Sequence, residues 1–251
     1  MDYNKLAKKV AKIVKRASKI YYKQDFFEME ECHKYEKDDV TNNDVATQNY
    51  LQYKLLHLIP NSGFIGEEGC STNVSDNGYV WIIDPIDGTQ NYKKGIPLYG
   101  TQLALQYNGK TVISVIYFPA QKQMYIATPT KATLNGKPIY VSDEKDLKWS
   151  GACVCNYRGY IDIEDKFKIQ HTLVSTLKTV RILGCSALNY ALCACGKMEL
   201  VVVFGDTVWD LYPGKFLIEQ AGGKVYTNEQ LQLHIAGSVE MVNKIIKLLG
   251  V

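Results

Sequence analysis

The sequence predicts a mixed α/β protein of layered helices and sheets, α+β in its first part and alternating α/β in its second. Three observations predict it. Short β-rich runs follow two helical segments in the part up to about residue 148. From about residue 149 strands and helices alternate. No Pro-rich or Ser-rich linker and no internal repeat separates the two parts. Residues 1–251 therefore read as one domain, and a chain of this length, 46% apolar and 22% charged, can bury a sizeable core. Disordered and collagen-like structures are excluded by the same composition.

From Asp2 to Tyr22 the residues Leu6, Val10, Ile13, Val14, Ala17, Ile20 and Tyr21 recur at helical spacing with Lys and Arg on the other faces. This predicts an amphipathic helix docked by its apolar side. A second helix is predicted over about 42–58, with Val45, Leu51, Leu55 and Leu58 inside and Pro60-Asn61-Ser62-Gly63 stopping it. Runs at 63–65, 79–83, 101–107, 111–117 and 123–127 read as an antiparallel meander, with Asn108-Gly109 a hairpin turn between the third and fourth. A strand at 152–155, a helix near 165–177, a strand at 180–183, a helix at 186–195 and a strand at 200–204 come next. A helix near 211–221 ends at Gly222-Gly223, and 239–249 forms a short terminal helix.

Charge and cysteine usage narrow the function classes. The 29 Lys and Arg exceed the 26 Asp and Glu by only three, and the excess sits in the first helix, so nucleic acid is not the expected partner. No apolar run approaches the ~20 residues of a membrane span. Seven cysteines with no signal peptide read as reduced thiols of a cytoplasmic protein. The pairs Cys153/Cys155 and Cys193/Cys195 lack zinc spacing and are expected to be buried and inert.

The chemistry concentrates in Tyr79-Val80-Trp81-Ile82-Ile83-Asp84-Pro85-Ile86-Asp87-Gly88-Thr89-Gln90-Asn91, an apolar strand running into a turn with two carboxylates. Pro85 holds Asp84 extended, so the chain turns at Ile86 and can present Asp84, Asp87 and the Ile86 carbonyl to one point. Gly88 allows close backbone approach, and the Gly88 and Thr89 amides would open a helical turn, where an anion is favoured. Asp-Pro-x-Asp-Gly is also plain β-turn chemistry. Two further acids, Glu67 and Glu68, end the apolar run at Phe64-Ile65-Gly66, and Asp210 follows Val201 to Trp209. Singly, Glu68 and Asp210 read as an exposed strand end or a helix cap. Together, with no His or Cys among them, the acids favour oxygen-only ligation of Mg²⁺ or Mn²⁺. Asp44 opens the second helix, where it reads as a cap; a functional Asp44 would instead accept a hydrogen bond from an attacking water that the Thr89 hydroxyl also orients.

Gly66-Glu67-Glu68, then Trp81 to Thr89 with Asn91, then Trp209-Asp210 with Glu219-Gln220-Ala221-Gly222-Gly223, together resemble the inositol monophosphatase family in order and distance along nearly the whole chain. The resemblance implies an αβαβα sandwich, a homodimer, and Mg²⁺-dependent, lithium-sensitive hydrolysis of a small phosphate monoester with two or three metal ions. It implies that Glu67, Asp84 and the Ile86 carbonyl hold a first metal, and Asp84, Asp87 and Asp210 a second. Asp44 falls near a third metal and the attacking water, which Thr89 shares. Gly88 and Thr89 fall at the phosphate, and Asp87, Asp210 and Gly184-Cys185-Ser186 at the substrate ring. Competing phosphatase signatures, Cys-x5-Arg and Asp-x-Asp, and a Walker A loop are absent.

Two departures bear on the substrate. The family's ring-binding Glu seven residues before the Trp-Asp aspartate is Val203 here, which cannot accept a hydrogen bond. The small residues after Trp-Asp are Leu211-Tyr212-Pro213-Gly214, with Pro213 expected in a first helical turn. Inositol monophosphate is the first expectation. Fructose 1,6-bisphosphate, 3′-phosphoadenosine 5′-phosphate and NADP stay open, as does a protein- or RNA-binding role with a retained site.

Overall fold

The computed structural model describes residues 1–22, 31–35, 38–69, 75–156 and 162–251. The chain opens with α1 (Tyr3–Ala17), α2 (Lys19–Tyr22), β1 (Glu31–Tyr35), β2 (Asp38–Thr41), α3 (Asn42–Leu58), β3 (Gly63–Gly66), β4 (Tyr79–Asp87) and α4 (Thr89–Lys93). It continues through β5 (Gly100–Tyr107), β6 (Lys110–Phe118), β7 (Gln123–Thr128), β8 (Lys131–Leu134) and β9 (Lys137–Pro138). The rest is β10 (Gly151–Asn156), α5 (Ile163–Thr176), β11 (Thr179–Arg181), α6 (Ser186–Ala194), β12 (Leu200–Phe204), α7 (Val208–Gln220), β13 (Lys224–Asn228), β14 (Leu233–Gly237) and α8 (Val239–Leu249).

Five layers result. The seven-stranded sheet runs β3 to β9 in sequence order, and the five-stranded sheet is ordered β11-β10-β12-β14-β13. Leu6, Val10 and Val14 of α1 with Leu51 and Leu55 of α3 cover the outer face of the larger sheet through Trp81, Ile83, Leu103 and Val115. Alternate residues of the two sheets, Ile116 and Phe118 on one side and Cys153, Val201 and Val203 on the other, enclose α6 and α7. Ala152, Val154, Val202 and Ile235 turn to the opposite face and pack on Leu173 of α5 and Val242 of α8. The expected αβαβα sandwich is thus present, and its middle helix layer is covered on both faces by sheet.

Several local expectations are corrected. The helix from Asp2 to Tyr22 is two helices, because Ser18 ends the first by donating its hydroxyl to the Lys15 carbonyl. Asp2 lies outside as its cap. Helix α3 is placed as predicted, but Val45 is 43% exposed while Asn43, Asp44, Thr47 and Gln48 are buried, so its first turns face a polar interior. The meander is antiparallel only from β4 onward; β3 pairs parallel with β4, since residues 67–78 give enough chain for a crossover. Strands β1, β2, β8, β9 and β13 escaped the pattern because they are short and carry polar or charged residues among few apolar ones, and β14, Leu-His-Ile-Ala-Gly, because it is too short to show a period. Pro213 is inside α7 and beyond its first turn. Cys153, Cys155, Cys185 and Cys193 are buried and Cys195 half-buried, all as free thiols; Cys70 and the side chain of Cys32 lie outside the described residues. No described helix is long and apolar enough to cross a membrane.

Candidate active site

Residues three apart on a regular strand face opposite sides. The β4–β5 register shifts between Asp84 and Asp87, and this bulge allows both carboxylates to face one side at the strand's end. Asp210 meets them from the first turn of α7. Asp84, Asp87 and Asp210 are only 2, 4 and 3% exposed, and each offers a carboxylate oxygen within 4.8 Å of the others. Gln102, opposite Asp84 on β5, joins two of them: its Nε2 donates to Asp210 Oδ1 at 3.0 Å and to Asp84 Oδ2 at 3.5 Å. Thr207, the residue before α7, donates its hydroxyl to Asp210 Oδ2 at 2.8 Å.

Asp87 is held by the start of α6. Its Oδ1 accepts from the Ser186 amide at 3.1 Å, and its Oδ2 accepts from the Ala187 amide at 2.6 Å and from the Cys185 thiol at 2.9 Å. Of the expected ring contacts, Cys185 and Ser186 therefore wrap this carboxylate with buried side chains, and the Gly184 carbonyl bonds to Asn91 instead. Cys185 occupies the cap position of α6 without a side-chain bond, and Asp87 fills the role from another element. Asn91 ties the two loops together, donating from Nδ2 to the carbonyls of Leu183, Gly184 and Leu98.

Burial pushes the Asp84 carboxyl well above its ordinary range, and the charges of Glu67, Asp87 and Asp210 push it further. Burial raises Asp87 too, opposed by the Cys185 thiol and the amides of Ala187, Ser186 and Gly88. Such an arrangement resists ionisation until a cation joins it. Asp84 Oδ1 is buried with no hydrogen-bond partner, and the donors around it are hard oxygens. These features fit a divalent cation of the Mg²⁺ or Mn²⁺ type. Glu67 is half-buried, with its amide bonded to the Ile83 carbonyl and its charge acting on Asp84. The Ile86 carbonyl accepts from the Thr89 hydroxyl at 3.0 Å.

Asp44 and Thr41 form a capping box at the start of α3, with Thr41 as the cap and Asp44 its partner. Asp44 Oδ2 accepts from the Thr41 amide and hydroxyl, while Oδ1 is buried and unpartnered. Burial raises its pKa to about 6, the Thr41 bonds oppose the shift, and the charge of Glu68 adds to it. Asp44 and Thr89 make no hydrogen bond to each other, since the Thr89 hydroxyl goes to Ile86. Gly88 has φ +84°, and a Cβ there would lie 2.8 Å from the Leu98 carbonyl oxygen, so the turn requires glycine. Gln48 fixes the segment carrying Glu67 and Glu68, accepting from the Glu68 amide and donating to the Gly69 carbonyl.

The spacing rules missed Gln102, Thr207, Asn91 as a tie, and Asp206. Gln102 had a signal, as a polar residue in the apolar run of β5. Asp206 had a weaker one, as an acid just beyond the wholly buried β12.

The family model described as "Inositol monophosphatase family" matches residues 2–245. A Thermotoga maritima protein named fructose-1,6-bisphosphatase/inositol-1-monophosphatase is 32% identical over 191 residues, 75% of this chain and 71% of that protein. A Pseudomonas aeruginosa protein named Nus factor SuhB is 30% identical over 197 residues, 75% of this chain and 72% of that protein. The solved structure of an IMPase/NADP phosphatase complexed with Mg²⁺ and phosphate superposes with a TM-score of 0.85 at 21% identity, covering 99% of this chain and 96% of that one. At that identity it speaks for the fold.

Proposed function

The chain belongs to the inositol monophosphatase family and is a phosphatase by that membership, and from this premise we propose that it hydrolyses the phosphate monoester of a small polyol, inositol monophosphate first, with Mg²⁺. The observation that carries the reading is the group of three buried carboxylates within 4.8 Å of one another beside the Gly88 turn. Asp84, Asp87 and Asp210, with Glu67 and the Ile86 carbonyl beside them, would hold the cation. When bound, the metal supplies neutralisation of phosphate oxygens and activation of water.

The remaining work falls to the chain's own groups. The Gly88 and Thr89 amides open α4 and would receive phosphate oxygens. Thr89 and Asp44 would orient the water, with Asp44 accepting its proton; its carboxyl, raised to about 6, is suited to that transfer near neutral pH. Two or three cations, lithium inhibition, a homodimer, a cytoplasmic location and a single domain belong to the same reading.

The test is phosphate release from inositol monophosphates, fructose 1,6-bisphosphate, 3′-phosphoadenosine 5′-phosphate and NADP, each with Mg²⁺, with Mg²⁺ and Li⁺, and with chelator. Mg²⁺-dependent turnover of an inositol monophosphate above the others is expected. Silence across the panel from folded protein would sink the reading and favour a binding role, to which the name of the Pseudomonas relative gives a starting point. Light scattering checks the dimer.

A further inference from the structure

Position 203, where the resemblance leads one to expect an acid, is closed to a ligand: Val203 is 0% exposed, in the core between the sheets and opposite His234 of β14. Three residues later the chain supplies a different acid. Gly205 turns the backbone with φ +67°, and Asp206 follows it off the end of β12. Asp206 Oδ2 accepts from the Tyr190 hydroxyl at 2.9 Å, and Oδ1 is buried with no hydrogen-bond partner. The Ser186 hydroxyl lies close enough to Asp206 to ease its ionisation, against the burial that opposes it. Tyr190 is a firm support, because its ring lies where a Cβ on Gly214 would be, 2.3 Å from that position, which locks α6 against α7.

Asp206 also lines a cavity of about 450 Å³, shared with Thr207, Thr227, Glu229, Gln232 and His234. This is the size of a small-molecule subsite. Thr207 links the cavity to the metal-type acids, for it lines the cavity and its hydroxyl is bonded to Asp210. Its lining holds two carboxylates and no Lys or Arg, and Lys215, whose charge acts on His234, is not part of it. Carboxylates in such a wall accept from hydroxyl groups and repel a second phosphate.

We propose that Asp206, held by Tyr190, is the specificity-determining acceptor for the hydroxyl groups of a polyol monophosphate, in place of the acid that Val203 lacks, and that the acidic cavity beside it selects against bisphosphorylated substrates. The proposal rests on the phosphatase reading above. A carboxylate offers about four lone-pair sites, of which Tyr190 fills one, and the free Oδ1 is buried, so a substrate hydroxyl that reaches it meets an unsatisfied acceptor.

The experiment compares kcat/KM for inositol 1-phosphate with that for cyclohexyl phosphate, the same ring without hydroxyls, in the unaltered protein, Asp206→Asn and Tyr190→Phe. The preference for inositol 1-phosphate is expected to fall about tenfold to hundredfold in Asp206→Asn, as for loss of a hydrogen bond to a charged group. In Tyr190→Phe, which keeps the acid and removes its support, a smaller fall is expected. An unchanged preference in Asp206→Asn, or an equal loss on both substrates, overturns the assignment. Should Asp206→Asn not fold by circular dichroism, the preference in Tyr190→Phe decides. No Mg²⁺-dependent turnover of either substrate by the unaltered protein overturns the phosphatase reading itself.

Discussion

Gln102 shows how one neutral side chain shapes a site made of acids. An amide cannot ligate as strongly as a carboxylate, but its Nε2 bridges Asp84 and Asp210 and keeps two mutually repelling groups in place. In Gln102→Ala both carboxylates lose that bridge. Mg²⁺ affinity measured by titration calorimetry should weaken by about 10- to 100-fold, as for removal of other outer-shell partners. Asp84→Asn removes a central oxygen ligand instead, so its loss of phosphate release should exceed that roughly 10- to 100-fold range. A Gln102→Ala protein with unchanged Mg²⁺ binding would show that the bridge has no part in holding the acids.

At the scale of elements, helix N-termini converge on the acids. Asp44 lies in the first turn of α3, Asp210 in that of α7, and Asp87 against the first amides of α6. Each start leaves backbone N–H groups and a partial positive charge facing a carboxylate, which offsets part of the cost of burying it. The Gly88 turn joins β4 to α4 within this arrangement. Gly88→Ala should cost about 1–2 kcal/mol for its left-handed backbone alone, with the contact at the Leu98 carbonyl adding to it. Urea denaturation reads the stability loss, and phosphate release should fall with it because Asp87 and Thr89 flank the turn. Wild-type stability in this variant would mean that the turn relaxes without penalty.

For the whole molecule, the two expectations concern the buried layer and its charges. Leu217 of α7 is fully enclosed between the sheets, so Leu217→Ala should destabilise the protein by about 2–5 kcal/mol in urea denaturation. The acids act in the opposite direction as pH rises. Asp44 has an ordinary pKa of 3.8 and a folded value of about 6, and Asp84, Asp87 and Asp206 are raised as well, burial being the largest cause in each. At Asp44 the folded chain keeps a proton that the unfolded chain has released, so stability falls as pH rises from about 4 to 6, and the other three raised carboxyls add to the fall in the same direction as each ionises. Chelator-treated protein should therefore melt at a lower temperature at pH 7.5 than at pH 5. Mg²⁺ should raise the melting temperature more at pH 7.5, where the acids it binds are ionised. A chelated protein that melts higher at pH 7.5 would contradict the burial of these charges.

The sequence by itself determined what local rules control. Helical spacing placed α3 and α8, Asn108-Gly109 set the β5–β6 turn, and the layered fold followed from alternation and from the resemblance. Asp84, Asp87 and Asp210 were legible because a proline, a glycine and a Trp-Asp pair stand at fixed distances from them. Tertiary structure decided the rest. Only packing sets β3 parallel to β4, turns Val45 outward while burying Asp44, and brings Cys185 and Ser186 around Asp87 from about a hundred residues away. Gln102 acquires its place in the same way, through a partner 108 residues along the chain, and Asp206 through Tyr190 on a different element. A period or a turn residue acts on neighbours in sequence, whereas the field at a buried carboxylate is made by every group that folding brings near it.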